Sequence, residues 1–243
     1  MELKICHLYP DVLNLYGDRG NVTCMKKRLE WRGISVTVTN VTVGEALHAA
    51  EFDLFFIGGG QDFEQEVLLE DLAGEKTAEI KAAIESGKTF LAICGGYQML
   101  GHSYKTWDGN ECEFTGALDL YTIGQKERMI GNYAFTCDEI PGLHIVGFEN
   151  HSGKTYLGSG LRPIGSVLAG HGNNGEDGKE GARYKNVFAT YSHGCLLPKN
   201  PVLCDYILKT ALEEKYGTVE LPPLDDTLEL AAHTYMDTRL QKQ

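Results

Sequence analysis

The sequence predicts an α/β protein with an open, mostly parallel, twisted sheet and helices on both faces. The apolar runs DLFFI (53–57) and TFLAI (89–93) are typical of strands that are buried in a parallel sheet. Stretches with helical periodicity separate such runs, and this alternation favours parallel strands joined by crossover helices. Glycines follow both runs closely, so the chain can turn sharply into the next element.

Four strands and four helices are predicted in the first half of the chain. The segment ISVTVT is β-branched and alternating, which favours a strand. Asn21 and Gly33 are suited to begin and end the helix before it. The predicted strands are residues 2–9, 34–39, 53–57 and 88–93. The predicted helices are residues 21–32, 63–72, 76–85 and 97–100.

The middle of the second half is predicted to be less regular. Residues 103–169 are expected to form a β-rich edge, with strand-like runs at 118–123, 145–148 and 167–169. Residues 170–182 are acidic and rich in glycine, so we expect a flexible loop there.

A strand at 186–191 and helices at 200–216 and 226–240 complete the predicted elements. Gly217 is placed to end the first of these helices. Neither an internal repeat nor a linker is evident, so we expect a single domain over residues 1–243 with C-terminal helices at about 200–240.

Composition excludes several classes of function. The 243 residues are 42% hydrophobic, enough for a sizeable core, and carry a net charge of −12. That charge argues against binding to nucleic acid or anionic lipid, which requires a basic patch. No apolar run approaches the ~20 residues of a membrane helix, and the N-terminus lacks the apolar region of a signal peptide, so we expect a cytoplasmic protein.

The cysteine pattern indicates free thiols. There are seven cysteines, an odd number, and no two of them form a CxxC pair. Neither a metal site nor a disulfide framework is therefore expected.

Cys94 lies at a strand-to-helix corner. It follows the apolar run 89–93 and precedes Gly95 and Gly96, which let the backbone turn without steric cost. The corner places the sulfur at a helix N-terminus, where free N–H groups favour a thiolate. A buried structural thiol is the alternative, but such a thiol needs no glycine pair.

Three strand ends carry unusual residues and are expected to meet, because ligands bind beyond the carboxyl ends of parallel strands. They are Gly58–Gly60, Cys94 with Gly95, and His193. His193 is then a candidate general base for Cys94, and the N–H groups of Gly60 and Gly95 are candidate oxyanion donors, as in an acyl-transfer site. The alternative for His193 is a hydrogen-bonded structural residue, which is our interpretation of the other seven histidines.

The motifs FFIGGG, LAICGGYQMLG and TYSHG resemble those of the class I (triad-type) glutamine amidotransferases, whose sheet is flavodoxin-like. The variant CGGYQ, with no acid two residues after the histidine, resembles the subgroup that contains cobyric acid synthase. LNLYGDRGN, GGGQDFEQ, GFENH and LLPKN are similar to segments of the glutaminase subunits of lipid II isoglutaminyl synthases.

This resemblance implies roles for individual residues. Cys94 would attack the carboxamide of glutamine, and His193 would accept the thiol proton and then protonate the departing ammonia. Gln98 resembles a family glutamine that contacts the substrate. Arg128 lies where the substrate α-carboxylate is expected, and a guanidinium suits a carboxylate; the alternative is an ordinary surface arginine.

One departure from the family concerns the acid that orients the histidine. Many class I members have a glutamate two residues after it, where this sequence has Cys195. The third member of the triad is therefore absent, elsewhere in the chain, or supplied by a partner.

The resemblance implies a glutaminase that feeds ammonia to an ATP-dependent, Mur-ligase-like partner in a heterodimer. The partner would amidate the D-glutamate of lipid II to D-isoglutamine in peptidoglycan synthesis. Alternatives are the glutaminase of a cobyrinate-type amidotransferase, a γ-glutamyl hydrolase, and a regulatory subunit with a vestigial site.

No cofactor is expected in this chain, and ATP and Mg²⁺ are expected on the partner. The segment AAIESGKT (82–89) approximates a phosphate-binding loop. A true loop of that type follows a strand and opens a helix, whereas here it is predicted to end a helix and open a strand.

Overall fold

The computed structural model describes residues 1–60 and 62–242, except for the side chains of residues 62–66. Its first sheet has six strands: β1 (Glu2–Leu8), β2 (Ser35–Val41), β3 (Leu54–Ile57), β4 (Thr89–Ile93), β11 (Ala182–Tyr184) and β12 (Val187–Thr190). Their order in the sheet is β11-β12-β4-β3-β1-β2, and every pair is parallel except β11 with β12.

The central strands of this sheet bring three loops together. β3, β4 and β12 are buried at every position, as expected for strands covered on both faces. Ile57 pairs with Ala92 in β4, and Thr190 of β12 pairs with Ile93. The residues that follow the three strands therefore leave the sheet side by side at its carboxyl edge.

Seven α-helices lie in the described part of the chain. They are α1 (Arg19–Glu30), α2 (Asp62–Leu72), α3 (Glu75–Glu85), α4 (Gly95–Met99), α5 (Leu196–Lys199), α6 (Pro201–Tyr216) and α7 (Thr227–Leu240). The predicted role of Asn21 as the cap of α1 is wrong, because that helix begins two residues earlier. Asn21 lies within the helix and is buried, and its side chain accepts a hydrogen bond from the Leu197 backbone N–H at 2.9 Å.

A second sheet replaces the irregular edge that the sequence predicts. The strands of this second sheet are β5 (Ser103–Lys105), β6 (Glu111–Glu113), β7 (Leu120–Thr136), β8 (His144–Leu157), β9 (Gly165–Ala169) and β10 (Lys179–Glu180). Five of them are hydrogen-bonded in the order β10-β9-β7-β5-β6, and β8 also pairs with β7. The long antiparallel pair β7–β8 changes register between Gly124 and Met129, and this irregularity contains Arg128.

Residues 170–182 are held in place rather than loosely attached as predicted. Asn173 and Asn174 in this segment are buried. Asn173 exchanges hydrogen bonds with the Gly181 backbone, and Asn174 donates to the Thr155 carbonyl at 3.2 Å. Glycine and acidic content predicted a flexible loop, but two buried amides provide the bonds that fix its path.

The two sheets share one apolar core. Phe55 and Phe90 stack at 4.4 Å in the first sheet, and Tyr133, Phe135 and Ile145 of the second sheet belong to the same buried cluster. Across the described residues, no helix is long and apolar enough to cross a membrane.

Candidate active site

Cys94 occupies a strained corner between β4 and α4. Its φ of 48° and ψ of −101° are rare for a residue with a side chain, and such strain is characteristic of functional sites. Its N–H donates to the Thr190 carbonyl at 2.8 Å, and the N–H of Gly96 donates to the Gly58 carbonyl at 3.1 Å. A Cβ at Gly96 would lie 2.7 Å from the Ile57 carbonyl oxygen, so the predicted glycine pair is needed for close packing.

His193 is brought next to Cys94 from the end of β12. It is fully buried, and its N–H donates to the Phe148 carbonyl at 2.8 Å. Burial lowers the pKa of His193, but the charges of Cys94 and Asp18 outweigh burial and raise that pKa to about 10. The imidazolium form is therefore favoured beside the Cys94 sulfur, as in a cysteine–histidine pair that activates a nucleophile.

Asp18 is the acid that the sequence left unassigned. Its Oδ2 lies 3.3 Å from His193 Nδ1, and both side chains have no exposed surface. The same oxygen accepts a hydrogen bond from the Gly59 N–H at 2.8 Å. A Cβ at Gly59 would lie 2.4 Å from His193 Cε1, so only glycine lets the histidine approach the carboxylate.

The structure therefore places beside His193 an acid from elsewhere in the chain, the second of the three possibilities that the sequence allowed. Its sequence signal is weak: Asp18 lies within LNLYGDRGN, a segment noted only for its resemblance to a family. Cys195, which replaces the usual glutamate, points instead to the loop that carries Asp18 and donates its thiol hydrogen to the Gly17 carbonyl at 3.0 Å.

Gly60 lies three residues after the end of β3, and Gly95 directly follows Cys94 at the end of the neighbouring strand β4. Both are buried, and Gly95 opens α4 directly after the sulfur-bearing residue. Their role as oxyanion donors stays a prediction. Gln61 and the side chains of 62–65, which belong to the GGGQDFEQ stretch, lie outside the described residues.

Gln98 is buried one turn beyond Cys94. Its Nε2 donates to the Tyr191 hydroxyl at 3.0 Å, and that hydroxyl lies 2.6 Å from Thr155 Oγ1. The side chain is thus held by the wall of the site, and its contact with substrate stays a prediction.

Arg128 lies exposed at the rim of the site. Its Nε donates to Asn150 Oδ1 at 2.7 Å and its Nη2 to the Asn150 carbonyl at 3.1 Å. Asn150 in turn donates to the Tyr16 hydroxyl, and the ring of Tyr16 meets that of His193 with centroids 5.1 Å apart. Hydrogen bonds through Asn150 and a ring contact of Tyr16 therefore connect Arg128 to His193. Carboxylate binding by Arg128 stays a prediction.

His151, which the sequence analysis treats as structural, forms one wall of the site. Its ring stacks on Tyr191 with centroids 3.6 Å apart. Its Nδ1 lies 2.8 Å from the Gly153 carbonyl oxygen, and its Nε2 lies 3.8 Å from Glu149 Oε2. Among the described residues, no group of three or more metal-ligating side chains is assembled to hold a metal ion.

Comparison with known families agrees with this geometry. The family model for the CobB/CobQ-like glutamine amidotransferase domain matches residues 4–201. This chain belongs to that family. The predicted enzyme class, a glutamine amidotransferase, is confirmed, and a cysteine nucleophile is typical of the family.

Two relatives match this amidotransferase over nearly its whole length. Both are named lipid II isoglutaminyl synthase (glutamine-hydrolyzing) subunit GatD. The one from Staphylococcus aureus is 43% identical over 242 residues, which cover 100% of this chain and 98% of the relative. The one from Streptococcus pneumoniae is 39% identical over 241 residues, which cover 98% and 92% of the two chains.

A solved structure of a glutamine amidotransferase from Thermotoga maritima has the same fold. It covers 99% of both chains with a TM-score of 0.55 and 16% identity. At that identity the likeness shows the fold alone, and it confirms the predicted α/β class with an open sheet.

Proposed function

We propose that this amidotransferase is the glutaminase subunit of an enzyme that amidates lipid II. The observation that carries the chemistry is the strained Cys94 corner facing the buried His193–Asp18 pair. The full-length relatives, both named as subunits of lipid II isoglutaminyl synthase, support the choice of pathway.

Hydrolysis would proceed through a thioester. The Cys94 sulfur attacks the γ-carboxamide carbon of glutamine, and the N–H groups of Gly60 and Gly95 stabilise the oxyanion. The C–N bond then breaks as His193 gives the former thiol proton to the departing nitrogen, which leaves as ammonia. Water activated by the same histidine hydrolyses the thioester, and glutamate is released.

The substrate is held by groups at the rim. Arg128 binds the α-carboxylate of glutamine through its planar guanidinium, and Gln98 contacts the substrate near the nucleophile. Asp18 holds His193 in one orientation and stabilises its imidazolium form during both proton transfers.

Ammonia released here would pass to an ATP-dependent, Mur-ligase-like partner. In open water at neutral pH ammonia takes a proton and loses its nucleophilicity, so a docked partner with a sheltered path is required. ATP and Mg²⁺ would bind to that partner, which activates the D-glutamate carboxyl of lipid II.

The test is coexpression of this chain with the candidate ligase. We expect a stable heteromer by mass measurement and glutamine-dependent amidation of lipid II. Cys94→Ala should abolish glutamate release and glutamine-dependent amidation, while amidation supported by added ammonium should persist. A free chain that hydrolyses γ-glutamyl peptides and never associates with the ligase would instead indicate a γ-glutamyl hydrolase.

A further inference from the structure

Three titratable side chains form a line from the wall of the active site to the protein surface. His151 Nε2 lies 3.8 Å from Glu149 Oε2, and Glu149 Oε1 lies 2.8 Å from His171 Nδ1. The His151 and Glu149 side chains are each 1% exposed, whereas His171 is 50% exposed. The line therefore begins in the interior and ends in solvent.

The buried end of this line is part of the catalytic surroundings. The His151 ring stacks on Tyr191, which is two residues before His193. The positive charge of His193 helps to lower the pKa of His151. Glu149 directly follows Phe148, whose carbonyl accepts the His193 N–H. The proposed hydrolysis thus takes place next to a set of groups that the mechanism above does not use.

The stoichiometry of ammonia release leaves one proton behind. A carboxamide and water give a carboxylate, ammonia and a proton: RCONH₂ + H₂O → RCOO⁻ + NH₃ + H⁺. The γ-carboxyl group of the product has an ordinary pKa of about 4.3, so it ionises at neutral pH. If that proton stays in the closed site, it converts ammonia to ammonium, which cannot attack an activated acyl group.

We propose that His151, Glu149 and His171 form a relay that carries this proton from the active site to solvent. His151 accepts the proton on Nε2 and gives it to the Glu149 carboxylate. The exposed His171 ring turns its unprotonated nitrogen towards Glu149, takes the proton there and releases it to solvent. The 3.8 Å separation between His151 and Glu149 is spanned by one water molecule or by a small movement of the ring. The inference rests on the proposed function, because only the delivery of neutral ammonia creates the proton.

The resting charges suit this direction of transfer. Burial raises the pKa of Glu149, but its interactions with the nearby His151 and His171 outweigh burial, lower the pKa and favour the carboxylate. Burial lowers the pKa of His151, so its ring is neutral and able to accept a proton. Two further groups interact with Glu149 through charge: Glu180, whose burial raises its pKa to about 7, and Tyr133, whose burial raises its pKa.

Glu149 also has a structural role, which decides where the relay should be tested. Its carboxylate accepts the backbone N–H groups of His171 at 2.8 Å and Gly172 at 3.0 Å. Replacing Glu149 would therefore disturb the loop as well as the relay. The His171 ring is exposed, and its replacement leaves both backbone bonds in place.

The experiment is His171→Gln in the complex with the ligase, with glutamine hydrolysis measured in a weak buffer with and without added imidazole. We expect turnover to fall roughly tenfold, below the 10²–10⁴-fold typical of a direct general acid or base. Added imidazole should restore it, because a small base can enter where the His171 ring lay and take the proton from Glu149. His102→Gln is the matched control, since His102 is also exposed and lies 3.3 Å from the carboxylate of Asp119.

The outcomes separate the relay from the function on which it rests. If the unmodified complex does not hydrolyse glutamine, the proposed function fails. If it does, and His171→Gln turns over at the unmodified rate whatever the buffer, the relay is wrong. A loss of turnover that imidazole does not restore would make His171 a structural residue and would also overturn the relay.

Discussion

The Asp18 carboxylate lies 3.3 Å from Nδ1 of His193 and holds the ring in one orientation. Because the other nitrogen must first accept and then donate a proton, we expect Asp18→Asn to reduce kcat at neutral pH by roughly 10²-fold or more. Asp119→Asn is the matched control, since Asp119 also lies 3.3 Å from a histidine but is exposed. Near-normal kcat in Asp18→Asn would remove Asp18 from the catalytic site.

Asp18→Asn should also shift the pH profile of glutamine hydrolysis. Asp18 is one of the two charges that raise the pKa of His193 to about 10, so its removal lowers that pKa. His193 must be protonated to give a proton to the departing amide nitrogen, and activity is therefore lost as pH rises through the pKa of His193. The alkaline limb of the kcat/KM profile should move to lower pH in Asp18→Asn, whereas a purely structural defect would lower the whole profile without moving it.

The predicted role of Arg128, binding of the substrate carboxylate, depends on the planar shape of its guanidinium group. We expect Arg128→Ala to raise the KM for glutamine strongly, and Arg128→Lys to rescue poorly because lysine lacks the planar fork. Steady-state kinetics over a range of glutamine concentrations provides the measurement. Unchanged dependence on glutamine concentration would reduce Arg128 to a surface charge that binds only Asn150.

Among the elements, the loop after β3 has the strictest steric requirement. A Cβ at Gly59 would lie 2.4 Å from His193 Cε1 and 3.1 Å from Asp18 Oδ2. Gly59→Ala should therefore displace the histidine and reduce kcat by roughly 10²-fold, the cost of about 1 Å of misplacement. Gly160→Ala, where a Cβ has no neighbour within 4 Å, should leave kcat unchanged. Equal activity of the two variants would contradict the close packing described here.

The first sheet could be predicted because β3, β4 and β12 are covered on both faces and are continuously apolar. The long strands β7 and β8 could be predicted only in part, as the runs 118–123 and 145–148. Their full length could not, because the polar run 125–128 interrupts β7 where the register shifts.

The same distinction applies to the site. Cys94 and His193 could be predicted because each directly follows a recognisable strand. Asp18 could not, since its approach depends on a loop in which Tyr9 and Tyr16 adopt positive φ, a conformation that residue preferences do not predict.

At the scale of the whole molecule, Arg28 joins the C-terminal part of the chain to the first helix. It makes paired hydrogen bonds of 2.6–2.8 Å to Asp205 in α6 and to Asp226, which precedes α7. Its side chain is 3% exposed. One arginine thus connects α1, α6 and α7, and α7 packs on the second sheet through Met236 and Leu240.

Removing one partner of a buried ion pair leaves the other charges uncompensated, so Arg28→Met should lower the free energy of unfolding by about 3 kcal/mol. Lys27→Met is the control in the same helix, because Lys27 is 53% exposed and pairs with Glu30 one turn away. An exposed pair of this kind contributes about 0.2–1 kcal/mol. Urea unfolding provides the measurement, and equal losses in the two variants would show that the buried cluster does not hold the helices together.

Arg28→Met should also change how the free energy of unfolding depends on acid pH. Burial raises the pKa of Asp205, but hydrogen bonds from Arg28 and Arg32 outweigh burial and hold that pKa below its ordinary value of 3.8. The stability that this carboxylate contributes is therefore present above its unfolded pKa and is lost as pH falls through its folded pKa. Without Arg28 the folded pKa rises towards the unfolded one, so the free energy of unfolding should fall less steeply with acid in Arg28→Met than in the unmodified protein. Parallel curves for the two proteins between neutral pH and pH 3 would mean that Arg28 does not stabilise the ionised form of Asp205.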